Sequence, residues 1–206
     1  MATKLAVYQS ALRLLGSHQL LLITDNLPAR LRLDEAWDGV VAYCLKRGMW
    51  NFAIKTLELA DTLASAPDFG FEYGFNHPAD FVRLVAISDE PNFVGQFNSF
   101  ENENGKFYAN VDTLYLRYVS NHVTGFGGDL TKWSQEFADV VAARLAFETA
   151  LAITSDRGLR QDALAVFEKN LSIAKSLDAV DERVRFRPEG RLVQSRFSTR
   201  GRSYLG

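Results

Sequence analysis

The chain has 206 residues, 47% of them hydrophobic and 23% charged, enough for one substantial core, and no Pro/Gly/Ser-rich linker divides it. A single cysteine excludes an internal disulfide framework and a Cys-based zinc cluster and fits a reducing cytoplasm; the N-terminus lacks a secretory pattern, and the most apolar stretch, 138–153, is interrupted by Asp139, Arg144 and Glu148, so no membrane span is expected. The net charge of −2 is unevenly spread: residues 183–206 hold seven arginines against one acid, which gives this tail +6 and leaves −8 on residues 1–182.

The spacing predicts a first helix over about 3–15, capped by Thr3, with Val7, Ala11, Leu14 and Leu15 on one face and Gly16 ending it. After a brief apolar link, 20–24, Asp25 or Asn26 is expected to cap a second helix over about 28–47 with Pro28 in its first turn, and the two form an αα-hairpin. Trp37, Val41, Cys44 and Leu45 form its apolar stripe. Gly48 is read as the left-handed residue that stops this helix, after which Trp50, Phe52 and Ile54 alternate with Asn51, Ala53 and Lys55 as a strand over 50–57.

From about 49 to 123 the helical period is lost and an antiparallel β insertion is expected, with further strands at 81–88, 106–109 and 113–119. The corner Asn110-Val111-Asp112 suits a tight hairpin, and 92–105, rich in Asn and Gly, reads as an exposed loop rather than a ladder. Helices resume after the glycine-rich stretch 125–128. A third, over about 130–154, is capped by Asp129 and carries the small-residue strip Ala138, Ala142, Ala146 and Ala150; a fourth spans about 159–180, with Leu164, Phe167, Leu171, Ala174 and Leu177 on one stripe. The fold class is mainly α with a β insertion: a four-helix bundle, an antiparallel sheet between helices 2 and 3, and a basic extended arm over 183–206. Residues 1–182 are read as one domain.

Candidate chemistry is sparse. Asp34, Glu35 and Asp38 surround the early part of a helix, where acids suit the dipole and solvent better than acid-base work. Cys44 lies on an apolar stripe and reads as a buried thiol. His18, His77 and His122 are scattered over loops without metal-ligand spacing. The stretch 125–128 lacks the Lys-Ser/Thr of a phosphate-binding loop and is read as a flexible joint. Arg144 is expected to pair with Glu148 one turn on. Tyr115, Tyr118, Phe107 and Tyr108 are candidates to stack bases, but few basic residues are interleaved, so cross-strand packing is preferred. No catalytic, cofactor or metal residues are assigned.

The order of elements resembles the head-tail adaptors of short-tailed bacteriophages, the tail tubular protein A family. The residues that carry the likeness are the turn from Lys46 through Arg47, Gly48, Met49, Trp50 and Asn51 to Phe52, and the stretch Pro78, Ala79, Asp80, Phe81, Val82, Arg83 and Leu84, similar to the family's Pro-x-Asp-Phe-x-Arg-Leu. In the second stretch Pro78 holds the chain extended, Asp80 is expected to bond the backbone of a short turn, and Phe81 to enter the core.

The resemblance implies a structural virion protein and no enzyme: copies in a ring, expected to be twelvefold, between a portal protein and a tail nozzle protein. Genome DNA would pass through the lumen without sequence specificity, and assembly would take place in the host cytoplasm. The arm, with Arg183, Arg185, Phe186, Arg187, Arg191, Arg196, Phe197, Arg200, Arg202 and Tyr204, is the expected docking element for the portal or a neighbouring copy. The alternatives are a nucleic-acid-binding protein that uses this arm, and a tail-associated cell-wall hydrolase.

Overall fold

Thr3 lies in extended backbone and its hydroxyl accepts the amide of Ala6 at 3.2 Å, which starts α1 (Lys4–Leu14). Gly16, at φ +62°, ends it while the amide of Ser17 returns to the Leu12 carbonyl. The computed structural model describes residues 2–60, 70–93 and 97–180; the arm, 183–206, lies outside them.

Helix α2 (Pro28–Lys46) is entered differently from the sequence reading. Leu27 is its extended N-cap, without a side-chain cap, and Pro28 fills the first position, where no amide is needed. Asp25 instead folds back, its Oδ2 accepting the amides of Leu21 and Leu22 at 2.8 and 2.9 Å. Its carboxylate thus closes the preceding turn and cannot cap the helix.

Two caps compete before the third helix. Asp129 accepts the amide and hydroxyl of Thr131 and closes only a 3-10 turn, Leu130–Lys132. The chain then extends at Trp133, and Ser134 caps α3 (Gln135–Thr154) by accepting the Phe137 amide at 3.2 Å. Helix α4 (Arg157–Val180) starts two residues before the expected position because Asp156 Oδ1 accepts the amides of Gly158 and Leu159.

The buried alanines 138, 142, 146 and 150 let other helices approach α3 closely, and α3 touches α1, α2 and α4. Helices α1 and α2 each pack chiefly on α3 rather than as the expected hairpin; they meet through the Tyr8 and Trp37 rings, 5.4 Å apart and edge to face.

Among the described residues the insertion forms two three-stranded antiparallel sheets. The first orders β1 (Ile54–Ala60) and β3 (Phe81–Ser88) on either side of β6 (Thr113–Ser120); the second orders β2 (Tyr73–Asn76) and β4 (Phe100–Glu103) on either side of β5 (Lys106–Ala109). Four readings change. Residues 51–53 are a 3-10 turn that buries Ala53 as well as Trp50, so the strand begins only at Ile54. The corner 110–112 joins β5 to β6, which belong to different sheets, and makes no hairpin. Part of the 92–105 loop is a strand, β4, paired with β5 through a two-residue turn in which Asn104 and Gly105 both take positive φ, 48° and 74°. Tyr73–Asn76 is a strand that the sequence reading omitted.

The core has two parts. One gathers the helices with Trp50, Ala53 and Val119; the other, between the sheets, is built from Phe75, Phe107, Leu114, Leu116 and Tyr118, with Leu57 and Leu59 packed against it. Sheet β1-β6-β3 therefore contributes to both.

Candidate functional site

The junction between helices and sheets is packed around buried side chains. Helix α2 ends at Arg47 in right-handed geometry, and Gly48 is not left-handed as the sequence suggests. Its glycine is needed for space: a Cβ there would lie 2.6 Å from Cε2 of the Trp50 indole. That ring is buried, donates Nε1–H to the Cys44 carbonyl at 3.0 Å, and meets Phe137 edge to face at 4.9 Å. Phe52 meets the same Phe137 ring at 4.9 Å. Two aromatic side chains from the junction thus grip the start of α3.

The stretch Pro78–Leu84 grips from the other side. Pro78 opens a turn closed by the Phe81 amide on its carbonyl, and Phe81 is half-buried against His77, Tyr118 and Phe107. Among the described residues the Asp80 side chain bonds no backbone. It accepts from Lys55 Nζ at 2.8 Å, Tyr118 OH at 2.8 Å and Ser120 Oγ at 2.7 Å, joining all three strands of the first sheet. Burial opposes its ionisation, but hydrogen bonds from Lys55, Ser120 and Tyr118 outweigh it and hold the carboxyl at about 2. Arg83 sends Nη1 to the Lys46 carbonyl at 3.4 Å, onto the C-terminal end of α2.

Residues 125–128 are not a flexible joint. A Cβ on Gly127 would lie 2.4 Å from the Ser120 carbonyl oxygen, and one on Gly128 2.4 Å from that of Asn121. The Gly127 amide bonds the Ser120 carbonyl at the end of β6, the Gly128 amide bonds that of His122 in the turn after it, and Trp133 Nε1 donates to the Gly127 carbonyl at 2.8 Å. Glycine is needed here because two backbones touch.

A groove of about 410 Å³ runs between α2 and α3, opened by Ala36, Gly39 and Ala152 and flanked by Tyr43, Arg144 and Glu148. Arg144 pairs with Glu148, and its guanidinium lies 4.2 Å from the Tyr43 ring centre and 4.8 Å from that of Phe147. Arg32 pairs with Glu35 on the groove's rim. The charges in this groove are balanced by neighbours, which suits an interaction surface more than bond-making chemistry.

The carboxylates near the start of α2 do not converge. Asp34 accepts from Tyr8 OH at 2.7 Å, Lys4 Nζ at 2.9 Å and Arg30 Nη1 at 2.6 Å, tying α1 to α2. Burial works against its charge, and these donors nonetheless hold it below the usual carboxylate range. Cys44 is fully buried, and burial pushes its thiol up to about 12. His77 is packed between the Phe81 and Phe107 rings with Nε2 3.0 Å from Asn102 Oδ1, and burial lowers its proton affinity. Tyr118 and Phe107 are fully buried on different sheets, so they offer no base-stacking platform. Among the described residues no three metal-ligating side chains come together, and no helix is long and apolar enough to cross a membrane.

Sequence reasoning missed Lys55, Tyr118 and Ser120 as partners of Asp80, and Tyr8, Lys4 and Arg30 as partners of Asp34. No short spacing links Asp80 to residues 25 to 40 positions away. The arm residues Arg183, Arg185, Phe186, Arg187, Arg191, Arg196, Phe197, Arg200, Arg202 and Tyr204 lie outside the described residues. No protein-family model matches the chain, and no curated protein is similar enough to count as a relative.

Proposed function

We propose that the chain is a structural adaptor of a short-tailed bacteriophage virion, a ring-forming protein that joins the portal to the tail nozzle and surrounds the path of the ejected DNA. In this reading a four-helix bundle supplies the ring's body, twelve copies make the ring, and the protein is neither an enzyme nor a cofactor binder. The arm, 183–206, docks on the portal or on the adjacent copy.

The observation that carries the reading is the double grip at the junction. The two stretches that resemble the family's motifs are the ones that clamp the sheets to the helices: Trp50 and Phe52 on Phe137, Arg83 on the end of α2, and Asp80 across three strands. A ring subunit under the pressure of a packed genome needs its two parts held as one piece. The charge division adds support, because a body of net −8 favours passage of DNA over its capture while the +6 arm favours acidic protein surfaces.

Light scattering of the protein alone and with its portal tests the proposal. Association into a ring only when portal is present is the expected result. A protein that never associates with portal, yet binds random duplex DNA through its arm in a salt-sensitive way, would move the assignment to nucleic-acid binding.

A further inference from the structure

Two arginines lie over the Phe147 ring of α3, and one of them has no carboxylate. The Arg144 guanidinium, 4.8 Å from the ring centre, reaches Glu148 through Nη2. The Arg160 guanidinium comes from α4 and lies 4.5 Å from the same centre. The Nε of each is buried without a hydrogen-bond partner, and among the described residues Arg160 has no ion pair at all. A ring face offsets part of a guanidinium's charge but accepts none of its in-plane N–H groups, so Arg160 keeps a donor that burial has cut off from water.

Arg160 opens onto a groove of about 510 Å³ between the end of α3 and the start of α4, lined also by Phe147, Leu151, Arg157, Gln161 and Leu164. Arg157 is exposed, stands one turn before Arg160 on the same side of the helix, and among the described residues has no ion pair. The neighbouring acids do not serve these two. Asp156 turns Oδ1 to the amides of Gly158 and Leu159, Asp162 is exposed and pairs with neither arginine, and the first turn of α4 holds no acid. Two cations therefore stand at the positive end of the α4 dipole without an ion pair. Every lining residue is described, and α4, 24 residues long, puts the groove about 36 Å from the point where the chain continues past Val180.

We infer that this groove takes an acidic side chain carried on an apolar segment of a partner protein. The carboxylate lies between Arg157 and Arg160 and accepts the Arg160 Nε–H, serving Arg160 as Glu148 serves Arg144, while the apolar neighbours of the acid pack on Phe147, Leu151 and Leu164. The walls favour protein over nucleic acid. Three of the six lining side chains are large and apolar, and residues 1–182, at net −8, repel a polyanion but tolerate a single carboxylate. The groove belongs to the helices and not to the basic arm, so the contact stands whether or not the chain forms a ring.

Titration of the full chain with the capped peptide acetyl-Leu-Phe-Glu-Leu-Leu-amide, followed by NMR on the arginine Nε–H resonances, tests this. The Arg160 Nε–H moves downfield and saturates, the Arg144 Nε–H keeps its position, and the same peptide with glutamine in place of glutamate gives no saturable shift. Arg160→Lys, which keeps the charge and loses the fork, weakens binding by about tenfold, read on the backbone amides of Leu151 and Leu164, and Arg157→Ala weakens it by roughly threefold. Amide spectra that are unchanged away from the groove report that both variants are folded. Equal saturation by the glutamine peptide overturns the proposal and leaves an apolar cleft. A stronger response to inorganic phosphate or to a short DNA duplex than to the acidic peptide overturns it in favour of a phosphate site. No response in the parent protein, unaltered affinity in Arg160→Lys, or an Arg160 Nε–H already shifted downfield in the protein alone overturns it as well.

Discussion

The indole of Trp50 donates to the carbonyl of Cys44 across the end of α2, and that single bond fixes the direction in which the chain leaves the helix. Gly48 lies between them, with no room for a Cβ against the ring. Because the indole is buried and wedged on Phe137, it cannot swing aside, and Gly48→Ala is expected to destabilise the fold by about 1 to 3 kcal/mol. Urea unfolding monitored by tryptophan fluorescence measures this. A midpoint unchanged from the parent protein would show that the ring yields.

Asp80 is the polar counterpart of that aromatic lock. Its carboxyl is held at about 2 in the folded protein against an ordinary 3.8. A depressed folded value contributes stability above the unfolded value, and the contribution is lost as pH falls from about 4 towards 2; the difference between 3.8 and about 2 corresponds to roughly 2 to 3 kcal/mol. The unfolding free energy of the parent should therefore fall across this window, and that of Asp80→Asn should fall less. At neutral pH the same substitution should cost about 1 to 3 kcal/mol, since Lys55 loses its counter-charge. Parallel pH profiles for the two proteins would remove Asp80 from the account.

Gly127→Ala should be as damaging as the change at Gly48, for a different reason. Its added methyl meets the Ser120 carbonyl oxygen, backbone against backbone, and a loss of about 2 kcal/mol or more is expected. A thermal melt within a degree of the parent would restore the reading of 125–128 as a flexible joint.

The fold was legible where local signals act alone. Strands Phe81–Ser88 and Lys106–Ala109 coincide with the sequence reading because each carries its own pattern and a nearby turn. Strand β4 did not, since Phe100 is its only large apolar residue and the Asn104-Gly105 hairpin signal sits in a polar stretch. At Asp25 and Asp129 a capping residue is present but spent on another turn, which no spacing rule reveals. The candidate site was half legible: Gly48, Trp50, Asp80 and Arg83 stand out as residues, but what they touch depends on partners far along the chain.

No hydrolase activity is expected. Among the described residues the carboxylates Asp34, Asp80, Glu35 and Glu148 are each paired with a cation, an arrangement that suits structural pairing more than acid-base work. Peptidoglycan clearing by the purified protein that one carboxylate substitution abolishes would contradict this. Clearing that survives every such substitution would point to a contaminant.

The central claim is that this chain is a portal-docked adaptor ring, and cryo-electron microscopy of the full protein mixed with its portal tests it most directly. The account predicts a twelvefold ring of copies seated beneath the portal, and bare portals when the added chain is truncated after Asp181 while its circular-dichroism melt is unchanged. Portals that remain bare with the full chain in excess, or that carry the truncated chain as readily as the full one, would contradict it.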